Sequence, residues 1–95
     1  MIIGQVVGTV ISRQRVDRVD RPTYLLIEQS DQGGNGKQKY LVALDLIGAG
    51  RGELVLVCQG SSARQTPVTD DRPIDAVVVA IIDLIDEMGD VTYRK

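Results

Sequence analysis

The stretch GAGRGELVLVCQGSSARQ, residues 48 to 65, holds the densest set of residues able to do chemistry. Its glycines suggest a phosphate cradle and its serines a nucleophile. A dinucleotide fingerprint of the form G-x-G-x-x-G requires glycines at 48, 50 and 53, but position 53 is Glu53, and the run leads into ELVLV rather than opening a helix. Without a helix N-terminus there is no aligned set of N–H donors for a pyrophosphate. Gly48, Gly50 and Gly52 read instead as a tight turn between two strands, with glycine supplying positive φ. Ser61 and Ser62 need a base to become nucleophiles. The chain has no histidine, and Lys37, Lys39 and Lys95 lie in a glycine-rich loop or in the tail, where an amine stays solvated. These serines therefore read as hydroxyls that cap the backbone of a polar turn, with Arg64 paired to a carboxylate.

The carboxylates Asp45, Asp70, Asp71, Asp75, Asp83, Asp86, Glu87 and Asp90 do not follow the spacing of a calcium loop, and zinc chemistry is disfavoured with no histidine and one cysteine, Cys58. No metal or cofactor is expected. Asp45 stands apart because it sits inside the apolar VALDLIG; if buried, it needs an arginine or a backbone N–H as partner.

The elements that must position these residues follow from composition. At 95 residues the chain fits one domain, residues 1–95, since domains typically hold about 100 to 200 residues. Its apolar fraction of 43% is rich in Val and Ile and contains no Phe or Trp, which favours sheet over helix. A net charge of −2, no long basic run and only Tyr24, Tyr40 and Tyr93 as aromatic residues argue against a nucleic-acid partner. A lone cysteine fits a reducing cytoplasm. The start MIIGQVVG has no charged n-region, and no apolar run approaches about 20 residues, so neither a signal peptide nor a membrane span is expected.

Strands are expected over residues 2–12, from Thr23 (TYLLIEQS), from Tyr40 (YLVALDLI) and from Glu53 (ELVLVCQG); the glycine-rich DQGGNGKQK between the second and third suggests an antiparallel hairpin. The segment around Ala76 to Ile85 is ambiguous. Pro73 and Gly89 could bound a helix, but the run of Val and Ile favours a strand buried on both faces. The end of the chain, 88–95, is expected to be a loose tail. Together these signals give a mainly all-β fold, a small five-stranded barrel or sandwich. Covering both faces of the first and last strands is difficult for so short a chain, and self-association is the natural solution.

The motifs GQVVGTVIS, VALDLIG, GAGRGELVLVCQGSSARQ and PIDAVVVAIID, in this order and spacing from Ile2 to Asp86, resemble the EutN/CcmL family of microcompartment and carboxysome shell vertex proteins. The resemblance implies an OB-like β-barrel with one short helix between the fourth strand and the last long one. It also implies a cyclic oligomer, in most members a pentamer with a hexamer as the alternative, that closes the corners of a shell tiled by hexameric proteins inside the cytoplasm. It implies no enzyme activity and no cofactor. The residues expected at the subunit interface or the ring axis are Asp45, Gly48, Ala49, Gly50, Gly52 and Glu53, then Gly60, Ser61, Ser62, Ala63 and Arg64. Arg64 is expected to form an intersubunit ion pair with Asp45 or Glu53. Two other classes compete: an OB-type module binding single-stranded nucleic acid or a small ligand, and a small hydrolase using Ser61 or Ser62.

Overall fold

The computed structural model describes residues 1–11, 23–60 and 75–95. Five strands, β1 (Ile2–Val10), β2 (Thr23–Ser30), β3 (Gly36–Asp45), β4 (Leu54–Gln59) and β5 (Ala76–Ile81), close a barrel in the order β1-β2-β3-β5-β4. Every neighbouring pair is antiparallel except β3 and β5. This is the five-stranded barrel, rather than the sandwich, of the two folds the residues allow, and the OB-like outline that the family resemblance implies. The expected short helix falls in 61–74, outside the described residues.

Closure depends on β1. Its first half, Ile2 to Gln5, pairs with β4, while Gly4 to Val10 pairs with β2. An irregularity between Val6 and Gly8 bends the strand from one partner to the next, the usual role of a bulge at a barrel corner. Gly4 lies where β1 crosses the core: a Cβ there would collide with the Cγ2 methyl of Ile27 and stand 3.0 Å from the Glu28 carbonyl oxygen. Only glycine lets Ile27 occupy that space.

Inside the barrel, Val6, Leu25, Ile27, Ala43, Val55, Val57, Ala76 and Val78 form the core, and Ala49 joins them from the β3–β4 loop. Leu44 and Val77 form a second cluster with Tyr24, Cys58 and Val79 against it. Successive residues of a strand point to opposite faces, so Val77 and Val78, both fully buried, belong to different clusters. β5 is thus the strand buried on both faces, and the helical alternative for 76–81 does not occur. Each Val, Ile or Leu side chain removed from water in this way contributes about 1.5–3 kcal/mol.

β3 begins at Gly36, ahead of the expected Tyr40. Its polar start is held by side chains. Asp31 Oδ1 accepts the N–H groups of Gly33 (2.9 Å) and Asn35 (3.0 Å), which build the turn, and the Asn35 N–H is the main reason the Asp31 carboxyl titrates below its usual value. Glu28 Oε2 accepts the Gln38 N–H at 3.1 Å, where Gln38 has φ of 58° and the β2–β3 register shifts.

The stretch expected as a loose tail is instead half of a second hairpin. β6 (Leu84–Glu87) and β7 (Asp90–Arg94) are joined by Met88 and Gly89, with φ of 53° and 90°, the two positive values of a type I′ turn. A two-stranded hairpin alone is marginal in water. This one is docked: Thr92 Oγ1 donates to the Gln32 carbonyl at 2.7 Å and the Tyr93 ring lies against Gly34, while the Lys95 N–H, bonding the Asp83 carbonyl at 2.9 Å, extends the hairpin's own ladder.

Candidate functional site

The loop from β3 to β4 carries most of the described residues expected at an interface. Asp45 ends β3, and its Oδ1 accepts the N–H groups of Ile47 (3.1 Å), Gly48 (3.0 Å) and Ala49 (3.3 Å). This is the backbone partnership anticipated for Asp45, and it folds the loop so that Ala49 enters the core. The next residues form a β-turn in which the Glu53 N–H bonds the Gly50 carbonyl at 3.1 Å and Gly52 has φ of 88° at the third position, as a type II turn requires. Two backbone bonds stitch it to β1, Gly52 N–H to Val6 O at 2.8 Å and Val6 N–H to Glu53 O at 2.9 Å, and the Gln5 amide adds a third contact to Gly52 O at 3.2 Å.

Glu53 completes the arrangement. Its Oε1 accepts the Gly50 N–H, and its Oε2 pairs with Lys95 Nζ at 2.6 Å. The Lys95 hydrogen bond, followed by the Gly50 N–H, holds the Glu53 carboxyl below its ordinary value of 4.5. Lys95 was read only as part of a tail; no spacing rule links residues 42 apart.

Chemically, this loop has little to offer a ligand. The successive N–H groups of Ile47, Gly48 and Ala49, the set that a phosphate would need, converge on the chain's own Asp45. Among the described residues no group of three or more His, Cys, Asp or Glu side chains could hold a metal ion. The aromatic residues make no stacking platform either, because Tyr24 packs in the second cluster and Tyr93 against Gly34, while Tyr40 is exposed elsewhere. No helix among the described residues is long and apolar enough to cross a membrane.

Gly60, just after β4, lies next to Asp75, just before β5, its N–H bonding the Asp75 carbonyl at 2.7 Å. Ser61, Ser62, Ala63 and Arg64 fall outside the described residues. What the sequence did not single out is the exposed apolar set: Leu46 and Ile47 beside Asp45, Tyr40 and Val42 on β3, and Leu84, Met88 and Val91 on the second hairpin. Leu46 and Ile47 are adjacent in sequence just past the end of β3, which makes that loop the place where two of them stand side by side.

Comparison with known proteins decides the family. A family model described as "Ethanolamine utilisation protein EutN/carboxysome" matches residues 1–83. The chain belongs to the EutN/CcmL family. Within that family it is 45% identical to the carboxysome shell vertex protein CcmL of a Nostoc species, with 100% of this chain and 95% of the relative covered. The solved structure of CcmL from Gloeobacter violaceus superposes with a TM-score of 0.94 at 41% identity, covering 100% of this chain and 98% of the other. A further solved structure, GrpN from Rhodospirillum rubrum, described as a pentameric microcompartment shell protein, gives a TM-score of 0.83 at 34% identity over 93% of this chain and all of the other. These relatives are structural shell proteins, not enzymes.

Proposed function

We propose that this protein is a shell vertex protein of a bacterial microcompartment, five copies of which close into a ring that caps a corner of the shell. The observation that carries this reading is full-length kinship: the chain is covered from end to end by a relative named as a vertex protein and superposes on one described as pentameric. The geometry supports it from another side. The glycine-rich loop binds its own carboxylates, while apolar side chains on β3 and the second hairpin remain in water. A ring repeats one head-to-tail contact and closes when the rotation per subunit divides the circle, so a single small surface can build a corner.

In this ring, the residues from Gly60 through Ser61, Ser62, Ala63 and Arg64 approach the axis, and the loop from Asp45 to Glu53 lies at the contact with the neighbouring subunit. Asp45 uses Oδ1 for its loop. Its other oxygen is the one offered to Arg64 of the next copy. Glu53, already paired with Lys95, is the second choice. The ring's outer rim meets hexameric shell proteins. Co-expressing hexameric shell proteins with and without this protein tests the role: closed polyhedral shells form only when it is present. Equally closed shells in its absence would contradict it.

A further inference from the structure

Asn35 is the chain's single asparagine, and Gly36 follows it. Asparagine is among the residues that degrade chemically in water, yet the fold uses both residue types at this point. A Cβ at Gly36 would collide with the Glu28 carboxylate, whose Oε2 also accepts the Gln38 N–H at 3.1 Å, so β3 starts here with glycine. The Asn35 amide Nδ2 donates to Asp31 Oδ2 at 3.3 Å and completes the turn that Asp31 Oδ1 builds. Both Asn35 and Gly36 are exposed, and the residues before them, Gly33 and Gly34, carry no side chain to shield the amide.

The backbone nitrogen of Gly36 is held by neither ladder. The Asp31 N–H bonds the Asn35 carbonyl at 3.0 Å, which makes Ser30 and Gly36 a non-hydrogen-bonded pair and turns the Gly36 N–H away from β2. On that outer side β3 is laddered, among the described residues, only at Leu44 and Asp45, to β5. A solvated backbone nitrogen with no bulk on its Cα can reach the side-chain carbonyl carbon of the residue before it. The two groups sit on adjacent residues, so the reaction is intramolecular and little entropy is lost in bringing them together.

We propose that Asn35–Gly36 is a self-modification site, at which Asn35 converts to aspartate and isoaspartate through a cyclic imide with water as the only co-reactant. The Gly36 nitrogen gives its proton to hydroxide and attacks Asn35 Cγ. The Cγ–Nδ2 bond breaks, Nδ2 takes a proton from water and leaves as ammonia, and the hydroxide is regenerated. Water then opens the imide. Cleavage between the Gly36 nitrogen and Cγ gives aspartate in the original backbone; cleavage between that nitrogen and the main-chain carbonyl carbon gives isoaspartate, whose backbone runs through the side chain and is one methylene longer. Either product replaces the donor facing Asp31 Oδ2 with a second carboxylate, and like charges at that distance repel. The same turn holds the second hairpin, through the Gln32 carbonyl that receives Thr92 Oγ1 at 2.7 Å and through Gly34 against the Tyr93 ring. Modification therefore loosens β6 and β7 from the barrel.

The test is prolonged incubation of the purified protein at neutral and at mildly alkaline pH, followed by isoelectric focusing, peptide mapping by mass spectrometry and labelling with an isoaspartate methyltransferase. The wild type is expected to gain one negative charge per chain, mapped to residue 35, faster at the higher pH because the attacking nitrogen must first lose its proton, and part of the product takes the isoaspartate label. Asn35→Gln, whose longer side chain must close a larger ring, gains none over the same time. Hydrogen exchange at residues 84–94 is expected to be about fivefold faster in the modified chain, the change that loss of a single hydrogen bond produces. A wild-type chain whose charge stays constant, or changes no faster than that of Asn35→Gln, overturns the site. Conversion that leaves exchange at 84–94 unchanged overturns its link to the hairpin.

Discussion

Lys95 Nζ stands 2.6 Å from Glu53 Oε2, tying the end of β7 to the loop that leads into β4. The pair shifts both partners toward their charged forms. Glu53 is lowered from 4.5, first by the Lys95 hydrogen bond and then by the Gly50 N–H, and Lys95 is raised from 10.5, first by the Glu53 hydrogen bond. A depressed carboxylate contributes stability above its unfolded value that is lost as pH falls through its folded value; a raised ammonium contributes below its unfolded value and loses it as pH rises past the folded one. Stability should therefore hold across neutral pH and fall in acid, where the lowered Asp31 acts with the same sign, and again in strong alkali. Thermal melts of the wild type and Glu53→Gln should differ modestly at pH 7, since Lys95 is exposed and Glu53 only partly buried, and converge below pH 4.5. A gap that persists unchanged in acid would show that the charge of Glu53 is not what stabilises the loop.

Asp45 gathers the N–H groups of Ile47, Gly48 and Ala49 on one oxygen. Asp45→Ala leaves them to water and loosens the loop that carries Ala49 into the core. By analogy with the loss of a helix cap, the cost is about 0.5–2 kcal/mol, read from urea unfolding of the dissociated chain. Asp45→Asn retains an acceptor and should recover most of it.

Gly4 yields its side-chain space to Ile27. Gly4→Ala overpacks the barrel where the Glu28 backbone also approaches, and should destabilise by about 1–3 kcal/mol. Pairing it with Ile27→Val should recover part of the loss, because the smaller side chain gives room. Equal stabilities for the wild type and Gly4→Ala would mean the strands separate at no cost.

Met88 is fully exposed and holds a φ of 53° in the β6–β7 turn. Asparagine tolerates that conformation better and touches nothing new, so Met88→Asn should stabilise the chain by a few tenths to about 1 kcal/mol. Hydrogen exchange localised to residues 84–94 would show the gain in the hairpin itself.

These positions also show what could be read from residues alone. The apolar runs of β1, β2, β4 and β5 announce themselves, and the choice of strand over helix for 76–81 follows from the β-branched residues of a strand buried on both faces. That Asp45 needs a partner was legible too, because a carboxylate sits badly within an apolar run, but the choice between an arginine and backbone N–H groups was not; the loop supplies the N–H groups of Ile47, Gly48 and Ala49. The early start of β3 was not: Gly36 to Lys39 are polar, and their strand geometry comes from Glu28, a residue on another strand. Nor was the second hairpin, since Met-Gly is an unusual type I′ turn and Gly89 reads equally well as the stop of a helix. The Glu53–Lys95 pair depends on where that hairpin docks, which no local pattern encodes.

The central claim is that five copies of this chain assemble into one closed ring. Native mass spectrometry of the purified protein tests it most directly: the expected result is a single dominant species of five subunits, stable on dilution into the micromolar range. A chain that stays monomeric at high concentration would contradict the account.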